Sequence, residues 1–189
     1  MGANNLTNLL GFEGSNTFIS AACAIQPHIK YWNWPKHFSK SFFGLYNKLI
    51  GKAMLQILDK NYKHIMIDIV LQKTGVDMSN IAKLPTTALS WENKVIVPLL
   101  GYKTPDEFYR TISTFHRIPN IKIPFFVLNS IDDPIVGEAC MDYDVFKSNE
   151  NVILLTTKYG GHLGYFEDVW GTEQWCLKPV FKFLEAYKE

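Results

Sequence analysis

Three short runs rich in apolar, small and β-branched residues constrain this chain most: Thr17–Ile25 (TFISAACAI), Ile123–Asn129 (IPFFVLN) and Asn151–Thr157 (NVILLTT). None of them alternates apolar with polar residues. Each therefore predicts a strand buried on both faces, the material of parallel sheets. Parallel strands need crossover connections, and helical patterns fall between and around these runs. Gly2–Leu10 carries Leu6, Leu9 and Leu10 at helical spacing, with Gly11 and Gly14 as stop signals. Gly137–Phe146 is loosely helical. Glu173–Tyr187 predicts a closing helix with Trp175, Leu177, Val180, Phe181 and Leu184 on one side. Strands alternating with helices give an α/β class with a mostly parallel sheet flanked by helices.

Between the first run and the second the pattern changes. Phe38–Leu58 places apolar residues at three- and four-residue steps, which predicts one long amphipathic helix or two broken near Gly44 or Gly51. Thr104-Pro105-Asp106-Glu107 combines an N-cap, a first-turn proline and a Thr-x-x-Glu capping box, so a helix starts there and continues to about Ser113. The expected organisation is core at 1–26, a helical insertion at 27–116, and core again at 117–189. With 19 Lys+Arg against 18 Asp+Glu the net charge is +1, so no global field draws the chain to nucleic acid. Cys23, Cys140 and Cys176 are odd in number and unclustered, which fits a reducing, intracellular compartment better than a disulfide framework. No apolar run approaches the roughly 18–20 residues of a membrane span, and the start is not a signal peptide.

In open parallel sheets ligands sit at the carboxyl ends of the strands. The run 123–129 exits into Ser130-Ile131-Asp132-Asp133-Pro134, and the run 151–157 into Lys158-Tyr159-Gly160-Gly161-His162. Taken alone, Asp-Asp-Pro is a turn and Gly-Gly-His a loop. Placed on successive strand exits, they give the order in which a carboxylate orients an imidazole through Nδ1–H while Nε2 accepts a proton. Asp132 and Asp133 compete for the acidic role. Asp133 is favoured because the residue directly before the proline is the usual acid position in such a loop, and Asp132 then caps the turn. Met1-Gly2, running straight into a helix, matches the x-Gly end of a Gly-x-Ser-x-Gly nucleophile elbow. The serine of that elbow would precede Met1, so no nucleophile is expected within this chain.

Met1-Gly2-Ala3-Asn4, Phe43-Gly44-Leu45-Tyr46-Asn47, Pro98-Leu99-Leu100-Gly101-Tyr102-Lys103, Leu128–Pro134 and Tyr159–Glu167 together resemble the α/β-hydrolase superfamily, AB hydrolase family 4 type. That branch contains esterases, monoacylglycerol lipases and phospholipases. The resemblance covers essentially the whole chain and is to the C-terminal portion of the family's domain, beginning just after the nucleophile. It implies Asp133 as the acid, His162 as the general base, and the Met1 backbone N–H as an oxyanion-hole donor. It also implies hydrolysis of carboxylic esters, with no cofactor. Gly137 departs from the proline usual near the end of the acid loop. The insertion becomes a lid, whose Tyr31, Trp32, Trp34, Phe38, Phe42 and Phe43 either line an acyl pocket or pack the insertion onto the core.

Lys36, Lys40, Lys48, Lys52 and Lys60 form either a solvated face or one leaning on anionic lipid headgroups. The resemblance leaves a membrane surface open as a partner of the full-length protein, through an anchor that many animal members carry in the preceding half, beside a lipid ester substrate. His28, His37, His64 and His116 lack metal-ligand spacing, and no phosphate-binding glycine loop follows a strand, so no metal or nucleotide is expected. The competing reading is a non-catalytic lipid-binding or interaction module on a hydrolase-derived fold.

Overall fold

A computed structural model describes residues 2–61, 63–79 and 84–188, apart from the side chains of 59, 61 and 63–67. Met1, expected as an oxyanion donor, and the side chain of His64 lie outside the described residues. The chain forms two compact units, 1–37 with 112–189, and 38–111.

The first unit is built on a three-stranded parallel sheet in the order β1-β2-β3, with β1 at Ala22–Ile25, β2 at Phe125–Ser130 and β3 at Val152–Thr157. Every residue of β2 is buried, as a central parallel strand requires. β1 is shorter than the run 17–25. Ala22 N–H donates to the Pro124 carbonyl at 3.1 Å, and Pro124 has no N–H with which to extend the ladder back toward Thr17. β3 is buried less than its apolar Val152–Leu155 run predicts, because it pairs only with β2 among the described residues. Ile153 and Leu155 remain exposed on that edge.

Helices cover both faces. Helix α1 (Gly2–Glu13) supplies Leu10 to a core with Ala22, Ala24, Phe125, Val127, Phe146 and Val152. It runs two residues past Gly11, which does not end the helix. A Cβ there would stand 2.3 Å from the Arg117 carbonyl oxygen, so glycine permits a close approach. On the opposite face Phe126 and Leu128 pack with Tyr165, Cys176, Val180 and Phe183, and the Phe126 and Phe183 rings stack at 5.5 Å. The closing helix therefore turns Val180 and Phe183 inward and leaves Phe181 outside.

Helix α2 (Trp34–Lys40) contains the boundary between the units. The second unit continues with a kink at Ser41–Gly44, α3 (Leu45–Asn61), α4 (Lys63–Thr74), α5 (Ala88–Trp91), a π-helical turn at Glu92–Ile96, α6 (Val97–Leu99) and α7 (Pro105–Ile112). The predicted long helix thus breaks at Gly44, where Phe42 and Phe43 are also left-handed. Thr104 Oγ1 accepts from the Glu107 N–H at 3.2 Å, as its capping motif predicts. Val70, Met78, Leu84, Trp91 and Val95 form the unit's own core, backed by Met54, Leu55 and Leu58 of α3. In the first unit two further helices complete the set, α8 (Tyr143–Lys147), capped by Asp142, and α9 (Leu177–Glu185).

Glu92 in the π-turn is partly buried, with the Tyr109 hydroxyl 3.0 Å from its Oε2. Burial pushes its pKa up to about 7, and the Tyr109 hydrogen bond opposes the rise. A raised carboxyl pKa means the folded state binds the extra proton. Glu92 therefore favours folding below the unfolded-state pKa, and that contribution fades as pH rises through about 7. Chemical denaturation at pH 5 and pH 8 checks this: Glu92→Gln should lessen the loss of stability between them, and an unchanged loss would contradict it.

Candidate active site

The carboxyl ends of the three strands converge on a buried polar network. Gln26, directly after β1, adopts φ 55° and donates its backbone N–H to the Leu128 carbonyl at 2.8 Å. Its side-chain Nε2 lies 2.7 Å from Ser130 Oγ and 2.8 Å from the Gly161 carbonyl, and its Oε1 accepts from Asn129 Nδ2 at 2.9 Å. Ser130 Oγ also donates to the Gly161 carbonyl. One amide thus joins the exits of β1, β2 and β3. Sequence reasoning missed this group, because its partners lie 103 to 135 positions away along the chain.

The β2 exit turns on Asp133, whose side chain is fully buried. Its Oδ1 accepts from the Ile135 and Val136 amides at 2.7 and 3.0 Å, and its Oδ2 lies 2.8 Å from His162 Nδ1. Asp132, the competing acid, points elsewhere: its Oδ1 accepts from the Gly161 N–H at 2.9 Å and ties the two exit loops together. Both glycines before His162 have reasons. Gly161 sits at φ +61°, and a Cβ on Gly160 would stand 2.5 Å from the Tyr165 ring. The Tyr165 N–H closes the loop on the Gly160 carbonyl at 2.9 Å.

This geometry fixes the chemistry available to His162. A carboxylate accepts only, so Nδ1 carries the proton and the neutral ring presents a lone pair at Nε2. The His162 side chain keeps about a quarter of its surface exposed while its carboxylate partner is dry. Such a pair can take a proton from a nucleophile and hold the resulting imidazolium.

Two further histidines, marked in the sequence only for lacking metal-ligand spacing, stand at this edge. His37 Nε2 lies 3.3 Å from the Asp133 carbonyl oxygen. Its ring also occupies the space a Cβ on Gly137 would need. Gly137 has φ +58°, which a proline locked near −65° cannot adopt. His28 is buried, stacked on Tyr31 at 4.3 Å and edge-on to Trp34 at 5.8 Å. Asn4 of α1 donates Nδ2–H to the His28 carbonyl at 3.1 Å and accepts the His28 N–H at 2.9 Å. That fixes the amide, so Asn4 Oδ1, 3.3 Å from the ring, faces a protonated Nδ1. Tyr31, Trp32 and Trp34 pack here and against Phe115 and His116, whereas Phe42 and Phe43 are exposed. The cysteines are unpaired, and burial pushes the Cys23 and Cys140 thiols up to about 11 and 12, away from thiolate chemistry.

Burial first, and then the nearby His162 and His37, hold the His28 pKa down to about 3 from the usual 6.5. Between those values the unfolded chain binds a proton that the folded chain refuses, so stability falls as pH drops from 6.5 toward 3. One such group contributes about 1.4 kcal/mol per pH unit in that window. Denaturation of His28→Gln at pH 4.5 and 6.5 should show a slope smaller by roughly that amount. An unchanged slope would contradict the assignment.

No protein-family model matches the chain. Among curated proteins it is similar over its whole length to a monoacylglycerol lipase of Saccharomyces cerevisiae, at 30% identity, and to phospholipase ABHD3 of Homo sapiens, at 28%. It is also similar to the medium-chain fatty acid ethyl ester synthase/esterase 2 of Saccharomyces cerevisiae, at 23% identity over 210 aligned residues. The chain spans 41%, 45% and 44% of the lengths of these relatives. Similarity over nearly the whole chain to an abhydrolase domain-containing protein of Dictyostelium discoideum, at 25% identity, and a parallel sheet flanked by helices are consistent with a partial α/β-hydrolase fold.

Proposed function

We propose that this chain carries the acid and the base of a serine hydrolase acting on carboxylic esters, with lipid or short- to medium-chain acyl groups. The observation that carries the reading is the 2.8 Å contact of Asp133 Oδ2 with His162 Nδ1 at neighbouring parallel strand exits. The names of the relatives, lipase, phospholipase and esterase, support the substrate class.

In this reading the nucleophilic serine belongs to hydrolase sequence preceding Met1, and the Met1 amide is one oxyanion donor. The serine oxygen attacks the ester carbonyl while His162 Nε2 takes its proton. Asp133 holds the ring tautomer and stabilises the imidazolium. Collapse of the tetrahedral intermediate expels the alcohol, which leaves with the proton from His162. Water then attacks the acyl-enzyme, with His162 again as base, and releases the acid. The helical insertion is the lid of this enzyme, and the chain by itself has no acyl-enzyme chemistry because it lacks the nucleophile.

In the complete hydrolase, Asp133→Asn and His162→Ala should each lower ester turnover by about three orders of magnitude or more, by analogy with triad deletions elsewhere. A serine-directed phosphonate should label the complete enzyme and leave residues 1–189 alone unlabelled. Near-normal turnover in either folded variant would overturn the role assignments, and stoichiometric labelling of the chain alone would overturn the missing-nucleophile reading.

A further inference from the structure

The second unit has more apolar surface on α3 than its own core uses. Met54, Leu55 and Leu58 back the core of Val70, Met78, Leu84, Trp91 and Val95, and Gly51 is buried against Thr86 and Thr87. That face completes the packing expected of an amphipathic helix. On solvent-facing positions, Leu45, Leu49, Ala53 and Ile57 follow one another at steps of four and are all exposed. Beside them runs a second exposed ridge, Lys48, Lys52, Gln56 and Lys60, also at steps of four. Asp59 is the only acid in the sequence from Lys36 to Lys60.

The kink before α3 adds a tip. Phe42 and Phe43 occupy left-handed conformations at φ 44° and 56°, where bulky residues are rare. They are exposed there, Phe42 at 65% and Phe43 completely, and Phe42 is braced edge-on by Tyr46 at 5.4 Å. An unfavourable backbone that presents two phenyl rings to solvent points to a partner for them. An aromatic tip, an aliphatic ridge and a parallel lysine ridge form the pattern of a helix lying in a lipid headgroup region, apolar groups inserted and ammonium groups on phosphates.

We propose that the Ser41–Lys60 segment is an interfacial membrane-binding surface for anionic phospholipid bilayers, with Phe42 and Phe43 inserting and Lys48, Lys52 and Lys60 engaging the headgroups. The inference does not depend on the ester-hydrolase reading. Its occupant is selected by charge, since Lys48, Lys52 and Lys60 outnumber the single acid of the Ser41–Lys60 segment, Asp59, an excess that disfavours a basic protein partner.

Flotation of the 189-residue chain with phosphatidylcholine vesicles, with and without phosphatidylserine, tests it without any activity readout. The chain should bind the phosphatidylserine vesicles, and added salt should weaken that binding. The double variant Phe42→Asn/Phe43→Asn suits left-handed backbone and should weaken binding by at least about tenfold. Lys48→Gln/Lys52→Gln/Lys60→Gln should weaken it on the order of 100-fold and remove most of the salt dependence. Circular dichroism on both variants confirms that the fold survives, and the lysine variant tests the surface independently if the Asn variant does not fold. No binding by the unmodified chain, or binding that both folded variants retain, would overturn the proposal. A dimer that the Asn variant dissociates, without vesicle binding, would overturn it in favour of a second copy. Failure of the complete hydrolase to float would overturn it in favour of cover by the rest of the enzyme.

Discussion

The amide of Gln26 is the constraint on which the rest of this site depends. A parallel sheet aligns strand ends only as well as its ladder extends, and the loops beyond it are otherwise free to diverge. Gln26 closes that gap with one side chain, reaching Ser130 and the Gly161 carbonyl while Asn129 donates to it. The contacts with Ser130 and Asn129 are buried, where an intact hydrogen bond contributes about 1 kcal/mol and an orphaned partner costs about 1–3 kcal/mol. Asp132 adds a second tie to the Gly161 amide. With the loop held from both sides, the imidazole of the next residue has little choice but to meet Asp133.

The geometry around Asp133 has the same economy. One oxygen is saturated by the amides of its own turn, so the carboxylate cannot rotate without losing both. The other oxygen is left for Nδ1 of His162. The turn that made Asp-Asp-Pro look like an ordinary loop and the orientation that aims Asp133 at the imidazole are therefore one structure. Its two aspartates divide the work, Asp133 orienting the imidazole and Asp132 anchoring its loop.

Much of this was legible in the sequence, for physical reasons. The apolar runs marked the strands because buried parallel strands tolerate no alternation. Asp133 and His162 were visible because strand exits can be found locally. The contacts that local pattern does not reveal span long sequence separations. Gln26, Asn4 and His37 make contacts that only the folded sheet brings together, and nothing in a glutamine before a proline announces a partner at Gly161. Element lengths failed where backbone chemistry overrode pattern. Pro124 cut β1 short, Gly11 served close packing instead of a helix stop, and the edge position of β3 left apolar residues exposed. The apolar periodicity of α3 hid a second, outward ridge, because which apolar residues face the core depends on the packing of Met54, Leu55 and Leu58 in the folded unit.

The central claim is that the strand-end network holds His162 with its proton on Nδ1 and its lone pair on Nε2. Nitrogen-15 NMR of selectively labelled histidine measures that tautomer directly. At neutral pH the neutral His162 ring should be the Nδ1–H form, and Asp133→Asn should abolish that preference. A neutral His162 found as the Nε2–H tautomer, or one indifferent to Asp133→Asn, would contradict the account.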